Sequence, residues 1–554
     1  MKSNFPKKGF FEAPVRVLRL IPFLMLLISF SCSTNDPATP PAKTFSLTAL
    51  AKPEEGGQIS PSEADYVAGE LIELTAVPAK GWEFDGWDGD ISGDENPIEV
   101  EAKKDMEVFA LFKRQTESIV IFTINDLHGR INNFAKIKAI IDKEKETESQ
   151  VFFVSGGDIF SGNPIVDYHS EKGFPIVDLM GKAGMDVSAL GNHEFDYGQE
   201  ILNNRMQQAS FPFLCANVQL ENGNLDIPQG EVNIEKDGFE IAFIGVVETG
   251  SPDNTPLSHP KKVKGLEFSE GLDAVGDYRN SETVKNADLV VALTHYGKYG
   301  DRKILEQHDF VDLVIGGHNH AIYDETVNGK HMIQSGSNLE NMTRLRLSVQ
   351  NGTIVDYDYK LIDLDESTLE DEELKSDIAE YNNKPEFFEE IGTSLQDHTS
   401  HETGCFYTDA LRSITNADIV FQNYGGIRSG LDYGAITPFD IYTIDPFGNG
   451  LDSFNMSVGE IKAFLKASGA NALAYSGLQL KRSGAEVYVY DASGDVMGDE
   501  EELVVALNDY ISNVYQPFFG TPSKTWEKTT AEYLIDYLEQ YQSVIDYDGC
   551  NTGI

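Results

Sequence analysis

The hydrophobic residues between positions 119 and 315 fall into short runs, and each run ends in a polar turn. The first run, residues 119–124, reads Ile-Val-Ile-Phe-Thr-Ile, and consecutive β-branched and aromatic residues are typical of a buried strand. Four further apolar runs follow at 151–154, 187–190, 289–293 and 311–315. Helical stretches are predicted at 134–143, 175–183, 198–209, 272–286 and 302–308. Strands that alternate with helices over this length predict a layered α/β domain.

Residues with metal-binding side chains follow each of these runs. Asp126 and His128 follow the first run and are two positions apart, so an oxygen and an imidazole could hold one ion. The other runs lead into Gly156-Gly-Asp158, Gly191-Asn-His-Glu-Phe-Asp196, Thr294-His-Tyr-Gly297 and Gly316-Gly-His-Asn-His320. Open α/β sheets gather ligands beyond the carboxyl ends of their strands. A single Asp-x-His pair is more often a hydrogen-bonded turn, whereas five such strand ends in one segment indicate a metal site.

A different pattern precedes this segment. Residues 44–114 contain short alternating stretches, at 46–51, 71–77 and 108–112, between Gly, Pro and Asp residues. This pattern predicts a small all-β module, which resembles the InlB-type β-repeat of bacterial surface proteins. We expect Trp82 and Trp87 to form its aromatic core rather than a carbohydrate platform. The sequence does not show what the module does.

The first residues have the features of an export signal. Residues 1–19 include five basic side chains, and residues 20–30 form an apolar stretch that is too short to span a bilayer. The residues before Cys32 resemble a bacterial lipobox, in which Cys32 becomes the lipidated first residue; ordinary signal cleavage nearby is the alternative. We predict a signal peptide at 1–31 and an extended tether at 32–43. The pattern does not fix the membrane leaflet.

Composition limits what the chain can do. Its 554 residues exceed one hydrophobic core and suggest three or four domains. With 43 basic and 90 acidic residues the net charge is -47, which repels polyanions, so we expect no binding to nucleic-acid polymers. A phosphate ester would meet the same repulsion unless metal charge at the site offsets it.

The five strand-end motifs together resemble the calcineurin-like metallophosphoesterases. The string Ala189-Leu-Gly-Asn-His-Glu-Phe-Asp-Tyr-Gly198 is similar to the 5′-nucleotidase branch of that family. The resemblance implies an α/β fold, a four-layer αββα sandwich with two mixed sheets between helical layers, which we place at residues 115–365.

The resemblance also implies a site for two divalent metal ions. Its ligands would be Asp158, which bridges the ions, with Asp126, His128 and His320 at one ion and Asn192, His295 and His318 at the other. Imidazole, carboxylate and amide ligands together suit Zn, Mn, Co or Fe better than Mg or Ca. The sequence does not choose among these metals.

The other histidines divide into one implied catalytic residue and several without a role. In the family, a histidine at the position of His193 stabilises the transition state, and a carboxylate at the position of Asp196 orients its ring. The histidines outside the clusters, expected to be structural or exposed, are His169, His259, His308 and His331. The roles of His398 and His401 stay open.

Two further segments complete the chain. Residues 366–384 are strongly acidic and predict a solvated linker helix. Residues 385–554 resemble the 5′-nucleotidase C-terminal domain, which supplies a nucleoside pocket; glycines there let the backbone approach a ligand, and arginine can pair with phosphate oxygens. The implied substrate-binding residues are Asn423, Gly425, Arg428, Phe447, Asn449 and Tyr510.

This last domain departs from the family pattern at two places. Val514-Tyr-Gln-Pro517 replaces a Gly-Gly-Asp sequence that follows the second aromatic residue of the pocket. Cys405 stands where Asn or Arg is usual, so we expect an altered preference among nucleotides. Cys405 and Cys550 either form a disulfide or are two free thiols, and we expect Cys215 to be a buried thiol.

Taken together, the motifs predict an exported, metal-dependent 5′-nucleotidase that releases nucleoside and phosphate. One alternative is a 2′,3′-cyclic-nucleotide phosphodiesterase or a nucleotide-sugar hydrolase. The alternative of another class is a catalytically inert surface binding protein, which the full ligand set disfavours. We expect a lipoprotein attached through Cys32 in the periplasm or at the cell surface. The oligomeric state cannot be read from the sequence.

Overall fold

The structure is a computed structural model that describes residues 42–250, 254–469, 472–484, 486–541 and 544–549. The predicted signal peptide, Cys32 and Cys550 lie outside the described residues. The chain divides into two compact units between Lys113 and Arg114. Within the described ranges, no helix has the length and apolar character needed to cross a bilayer.

The N-terminal module is all β, as predicted. Its strands are β1 (Thr44–Lys52), β2 (Gly57–Ser60), β3 (Glu63–Val67), β4 (Leu71–Pro78), β5 (Trp82–Gly89), β6 (Ile98–Glu101) and β7 (Met106–Arg114). They form two sheets, in the orders β3-β1-β7-β5 and β2-β4-β6. Leu47, Leu74 and Val108 are fully buried between them. Trp87 is also buried, and its indole N–H donates to the Glu95 carbonyl oxygen at 2.8 Å, which agrees with a role in the core.

The following segment contains the predicted alternation of strands and helices. The strands are β8 (Glu117–Ile124), β9 (Val151–Ser155), β10 (Val187–Ala189), β11 (Phe213–Leu214), β12 (Val218–Leu220), β13 (Glu231–Lys236), β14 (Phe239–Val247), β15 (Leu266–Phe268), β16 (Leu289–His295), β17 (Leu313–Ile315), β18 (Ile322–Val327), β19 (Lys330–Ser335), β20 (Asn341–Gln350) and β21 (Thr353–Asp363). The helices are α1 (Phe134–Lys145), α2 (Pro164–Asp167), α3 (Phe174–Lys182), α4 (Gln199–Gln208), α5 (Gly271–Asp277), α6 (Glu282–Asn286) and α7 (Gly297–Gln307).

Two six-stranded sheets form the centre of this domain. Their strand orders are β11-β10-β9-β8-β20-β21 and β13-β14-β16-β17-β19-β18. Side chains of both sheets, such as Ile121 and Val291, share one buried cluster, so the sheets stack face to face. The outer face of the first sheet is covered by α1, α3 and α4, and that of the second by α5 and α7. The four-layer αββα sandwich is therefore confirmed.

Two predicted helices differ from those observed. The helix expected at 272–286 is broken, because Ser281 adopts an extended conformation and its hydroxyl accepts a hydrogen bond from the Val284 N–H to cap α6. The helix expected at 302–308 begins earlier, at Gly297. A glycine is needed at position 300, because Gly300 lies against the Tyr296 ring and a Cβ there would overlap the ring. Because of its glycines, the first part of α7 was not predicted as a helix from the sequence pattern.

The C-terminal segment is a second α/β assembly. Its elements are α8 (Glu372–Asn382), β22 (Gly392–Ser394), α9 (Ser400–Thr415), β23 (Ile419–Asn423), β24 (Gly434–Ile436), α10 (Pro438–Ile444), β25 (Gly450–Ser457), α11 (Val458–Ser468), β26 (Leu473–Gly477), β27 (Gln479–Ser483), β28 (Glu486–Tyr490), β29 (Glu502–Asn508), α12 (Asp509–Val514), β30 (Lys524–Thr529), α13 (Thr530–Tyr541) and β31 (Val544–Ile545). The main sheet has the order β26-β23-β29-β25-β30. Its two faces bury separate clusters, one beneath α9 and α13 and one beneath α11.

The predicted linker helix is α8, and it is less solvated than expected. Leu374 and Ile378 are buried in the cluster that covers the first sheet. Asp371 caps the helix by accepting a hydrogen bond from the Leu374 N–H at 2.9 Å. Its charged face is exposed, but its apolar stripe fixes α8 to the outer helical layer.

Candidate metal centre and adjoining cavity

The first sheet brings four of the predicted ligands to one edge. Strands β8, β9 and β10 are adjacent and parallel, so their carboxyl ends lie side by side. The side chains that follow these ends are Asp126 and His128 after β8, Asp158 after β9 and Asn192 after β10.

The second sheet supplies the other three. Strands β16 and β17 are adjacent and parallel; His295 is the last residue of β16, and His318 and His320 follow β17. Because the two sheets stack face to face, the carboxyl edges of both meet at one place. The structure therefore brings together all seven predicted ligands.

The distances between these side chains are those of one compact cluster. The Nε2 atom of His295 lies 3.0 Å from Asp158 Oδ2 and 3.9 Å from Asp126 Oδ1. His320 Nε2 lies 3.5 Å from Asp126 Oδ1 and 2.9 Å from His128 Nε2. On the other side, the ring of His318 approaches the Asn192 carboxamide oxygen at 3.2 Å. Ligand atoms of Asp126, Asp158 and His295 all lie within 4.8 Å of one another, as do those of Asp126, His128 and His320.

Five of the seven residues have left-handed backbone conformations. Their φ angles are 52° at Asp126, 46° at His128, 55° at Asp158, 84° at His318 and 55° at His320. Non-glycine residues adopt such angles at a cost, and they concentrate at functional sites. Backbone hydrogen bonds between the strand ends hold the turns in place, such as Asp126 N–H to the Gly157 carbonyl oxygen at 2.9 Å.

The surroundings of His295 indicate a cation in the cluster. Its Nδ1 lies 2.8 Å from the Gly156 carbonyl oxygen, which can only accept, so Nδ1 carries the proton. Nε2 is buried and faces the Asp158 carboxylate, 3.0 Å from Oδ2. A lone pair and a carboxylate at this distance need a proton or a metal ion between them. A metal-binding histidine characteristically donates its second N–H to a carbonyl in this way.

The pKa of His295 reflects its position beside these carboxylates. Burial opposes the charged ring, but the carboxylates of Asp158, Asp126 and Glu194 outweigh it and raise the pKa of His295 to about 10. Burial also acts against ionised Asp158, yet His295 and His193 hold its pKa well below the ordinary value. In the absence of metal the cluster therefore retains a proton, which a divalent cation must displace.

His193 lies at the edge of the cluster and has its own carboxylate partner. A 3₁₀ turn over His193–Phe195 brings its Nδ1 to 2.6 Å from Asp196 Oδ2. The Ser258 hydroxyl donates to the other Asp196 oxygen at 3.0 Å. Although burial works against the cation, Asp196 and Asp158 raise the pKa of His193. Sequence reasoning did not find Ser258, because it follows no recognisable motif.

Glu194 braces the turns from within the core. Its buried carboxylate accepts from the backbone N–H groups of Gly191 at 2.7 Å, Ile159 at 2.9 Å and Asp158 at 3.2 Å. These bonds connect the ends of β9 and β10 beside the central carboxylate. Burial, with the Asp158 charge, raises the pKa of Glu194 to about 7. Glu194 belongs to the Gly191–Asp196 motif, whose pattern indicates roles only for Asn192, His193 and Asp196.

A cavity of about 600 Å³ opens on the cluster. The part of its wall that belongs to the C-terminal domain includes all six predicted substrate-binding residues: Asn423, Gly425, Arg428, Phe447, Asn449 and Tyr510. The guanidinium of Arg428 reaches to 3.4 Å from His128 Nε2. The ring of Phe447 stacks on that of His193, with centroids 5.7 Å apart and planes inclined by 23°.

The cavity wall also contains residues that the sequence did not identify. His259, expected to be structural or exposed, is buried and lines the cavity beside Lys261, Lys262 and Asp509. The sequence did not place His259 at the cavity, because the 257–262 segment has no metal-ligand motif and meets the C-terminal domain only in the folded chain. Cys405 is a buried, disulfide-bonded residue of α9, and Cys215 is a free buried thiol as expected.

Three family models match the chain. Residues 119–321 match the calcineurin-like phosphoesterase model, residues 378–516 the 5′-nucleotidase C-terminal domain, and residues 47–116 the divergent InlB B-repeat domain. These matches agree with the three resemblances seen in the sequence motifs.

The individual relatives agree with these family matches. A 5′-nucleotidase of Vibrio parahaemolyticus is 26% identical over 518 residues, which cover 77% of this chain and 90% of that protein. Endonuclease YhcR of Bacillus subtilis is 24% identical over 82% of this chain, but the chain spans only 42% of the YhcR length. The crystal structure of a 5′-nucleotidase precursor from Thermus thermophilus has the same fold, with a TM-score of 0.69 at 19% identity over 79% of this chain and 99% of its own.

The chain therefore contains a calcineurin-like phosphoesterase domain, whose cluster of imidazoles and carboxylates suits divalent metal ions. A 5′-nucleotidase C-terminal domain follows it, and relatives that match most of both chains are 5′-nucleotidases.

We expect Glu194→Gln to weaken metal binding. An amide offers one acceptor oxygen where the carboxylate serves three backbone N–H groups, and its own N–H groups would face those donors. Loss of a group that positions ligands typically costs about 10- to 100-fold in metal affinity. Competition titration with a chelating dye measures this, with Glu200→Gln on the exposed face of α4 as the control. Equal affinities in the two variants would contradict the bracing role.

Metal affinity should rise with pH. Because the pKa of His295 is about 10 without metal, its ring is protonated at neutral pH, and each unit of pH up to that value removes competing protons. The expected gain in Mn²⁺ affinity is about tenfold per unit between pH 7 and 9. Calorimetry in two buffers of different ionisation enthalpy counts the released protons. A Mn²⁺ affinity that does not change between pH 7 and 9 would rule out a proton on His295 that competes with the metal.

Proposed function

We propose that this protein is an exported phosphohydrolase that uses two divalent metal ions to remove the 5′-phosphate from nucleotides, giving nucleoside and phosphate. One observation carries the proposal: predicted metal ligands and all six predicted nucleoside-binding residues border the same cavity. The 5′-nucleotidase relative from Vibrio, matched over most of both chains, supports the same activity.

Seven residues would hold the metals. Asp158 lies between the two groups and would bridge the ions, with Asp126, His128 and His320 on one side and Asn192, His295 and His318 on the other. The mixed donor set favours Zn, Mn, Co or Fe. Two such cations would activate water and neutralise charge on the phosphoryl group.

His193 is positioned to assist the reaction from the cavity side. Asp196 fixes its ring through Nδ1, so Nε2 points into the cluster, 3.9 Å from Asp158 Oδ2. Its raised pKa favours the form that carries a proton on both nitrogens. A phosphoryl oxygen that gains negative charge in the transition state would accept a hydrogen bond from this N–H.

The C-terminal wall would hold the nucleotide. Arg428 lies beside His128 and would donate to phosphate oxygens, since a guanidinium forms paired bonds to them. Phe447 and Tyr510 offer aromatic faces for the base. Asn423, Gly425 and Asn449 supply polar groups and close backbone approach at the same wall.

We place the protein outside the cytoplasm, in the periplasm or at the cell surface, with a lipid anchor at Cys32. This rests on the basic and apolar N-terminal pattern and on the residues before Cys32. Membrane association that persists in a Cys32→Ala variant would count against the anchor.

A second candidate activity is hydrolysis of 2′,3′-cyclic nucleotides or nucleotide sugars. The Val514-Tyr-Gln-Pro517 sequence favours it, because a Gly-Gly-Asp element of the usual nucleoside pocket is replaced there. Lys262 adds a cationic side chain to the cavity wall, which would favour a larger anionic substrate; the neighbouring Lys261 is paired with Asp509.

A substrate panel tests these activities. AMP, UMP, 2′,3′-cyclic AMP, UDP-glucose and bis-p-nitrophenyl phosphate are each incubated with metal-loaded protein, using Mn²⁺, Zn²⁺ or Co²⁺. We expect phosphate release from AMP, two metal ions per chain by elemental analysis, and no turnover by Asp158→Asn. Cleavage of the cyclic nucleotide or UDP-glucose without AMP would support the second activity. A metal-free, inert protein would support the surface binding protein.

Arg428→Ala and Tyr510→Ala should affect different substrates. Arg428 lies at the metal cluster, so its loss should lower kcat/KM about 100-fold for both AMP and p-nitrophenyl phosphate. Tyr510 lies further along the wall, so its loss should raise KM about tenfold for AMP alone, as expected for one lost stacking contact.

The control for both variants is Arg412→Ala on an exposed part of α9, which should behave as the wild type. A Tyr510→Ala variant that loses activity equally on the two substrates would contradict the nucleoside-binding role.

A further inference from the structure

Asp509 is the first residue of α12 and contacts three parts of the cavity wall. Its Oδ1 accepts a hydrogen bond from the Gly450 N–H at 2.9 Å, directly after the loop that carries Phe447 and Asn449. Its Oδ2 lies 3.0 Å from Lys261 Nζ, and Oδ1 lies 3.4 Å from His259 Nε2. One carboxylate therefore joins two segments of the C-terminal domain to one segment of the catalytic domain.

The setting of Asp509 strengthens these contacts. Its side chain is 19% exposed and that of His259 is 10% exposed, whereas the Lys261 side chain is 57% exposed, so salt screens the His259 contact less than the Lys261 pair. Burial acts against ionisation, but His259 and Lys261 lower the pKa of Asp509 far below its ordinary value. The two cationic or donor partners thus favour the carboxylate form of Asp509.

The contacts place Asp509 next to both aromatic residues of the pocket. Tyr510 follows it directly in α12, and the Tyr510 ring meets that of His259 edge to face, with centroids 6.0 Å apart and planes inclined by 69°. Phe447 lies three residues before Gly450. Movement of Asp509 would therefore shift both faces between which a base would be held.

We propose that Asp509, through its ion pair with Lys261 and its contact with His259, forms a clasp that positions Tyr510 and the 447–449 loop for the nucleoside, and so sets the preference for nucleotides over small phosphate esters. Asp509 lies five residues before Val514-Tyr-Gln-Pro517, which replaces the family's Gly-Gly-Asp element. The inference rests on the proposed nucleotidase function. In this role Asp509 is a positioning residue, since it acts through Tyr510 and the loop.

The first test compares a nucleotide with an ester that has no nucleoside. In Asp509→Ala, kcat/KM for AMP should fall about 10- to 100-fold, the loss expected when substrate-positioning groups shift by about 1 Å. The value for p-nitrophenyl phosphate should stay within about twofold of wild type. Adenosine, as an inhibitor of p-nitrophenyl phosphate hydrolysis, should bind more weakly by the same factor. Asp509→Asn keeps an acceptor for Gly450 and should lose less.

The second test exchanges the charges. Lys261→Glu puts two carboxylates together and should impair AMP turnover as Asp509→Ala does, whereas Lys261→Glu with Asp509→Lys restores an ion pair and should recover at least part of the loss. The matched control is Lys264→Glu, which makes the same change at an exposed position of the same segment. It should behave as the wild type on both substrates.

The outcomes separate the two proposals. If the wild type does not cleave AMP, the nucleotidase function fails, whatever the variants do. If it does, the clasp is overturned by an Asp509→Ala variant that matches the wild type on AMP. It is also overturned by one that loses both substrates equally, or by a charge exchange without recovery. Selective loss on AMP with recovery in the double variant establishes it.

Discussion

The position of Asp158 between imidazoles and a second carboxylate is the constraint on which the site depends. Asp158 and Asp126 are both buried beside His295, and like charges in a medium of low polarity repel strongly unless a cation lies between them. Without metal, the proton on His295 meets this need. The strained turns, the Glu194 carboxylate and the carbonyl oxygen of Gly156 hold the groups in place, so the fold maintains an arrangement that only a cation makes favourable.

The same constraint explains how a chain of net charge -47 could accept an anion. The excess of acid is spread over the whole chain, whereas Arg428, Lys261 and Lys262 border the cavity, and metal charge would lie at its base. At physiological ionic strength, charges beyond about 8 Å in water are largely screened. The field that a bound phosphate would experience is therefore set by the groups at the cavity: these cations and any bound metal, opposed by the carboxylates of Asp158, Asp196 and Asp509.

The cavity belongs to two domains, and this matters for its chemistry. The catalytic domain contributes the ligand cluster, His193 and the 257–262 segment, and the C-terminal domain contributes the aromatic and arginine wall. Contacts such as Arg428 to His128 and Lys261 to Asp509 cross between them. The ligand cluster and the C-terminal wall of the cavity are thus linked by these polar contacts and by the stacking of Phe447 on His193.

The sequence was enough to predict the layered fold, because buried strands and the polar turns after them are local patterns, and the family resemblance of those turns named the seven candidate ligands that the structure brings to one place. It could not identify Ser258, His259, Lys261 or Asp509 as cavity residues, since nothing near them in the chain shows what they face. The Gly191–Asp196 motif contains Glu194, but the sequence did not show what this residue does. Its role depends on backbone N–H groups from two strand ends. The positions of these residues are seen only in the folded chain, because contacts across sheets and between domains depend on how distant segments pack.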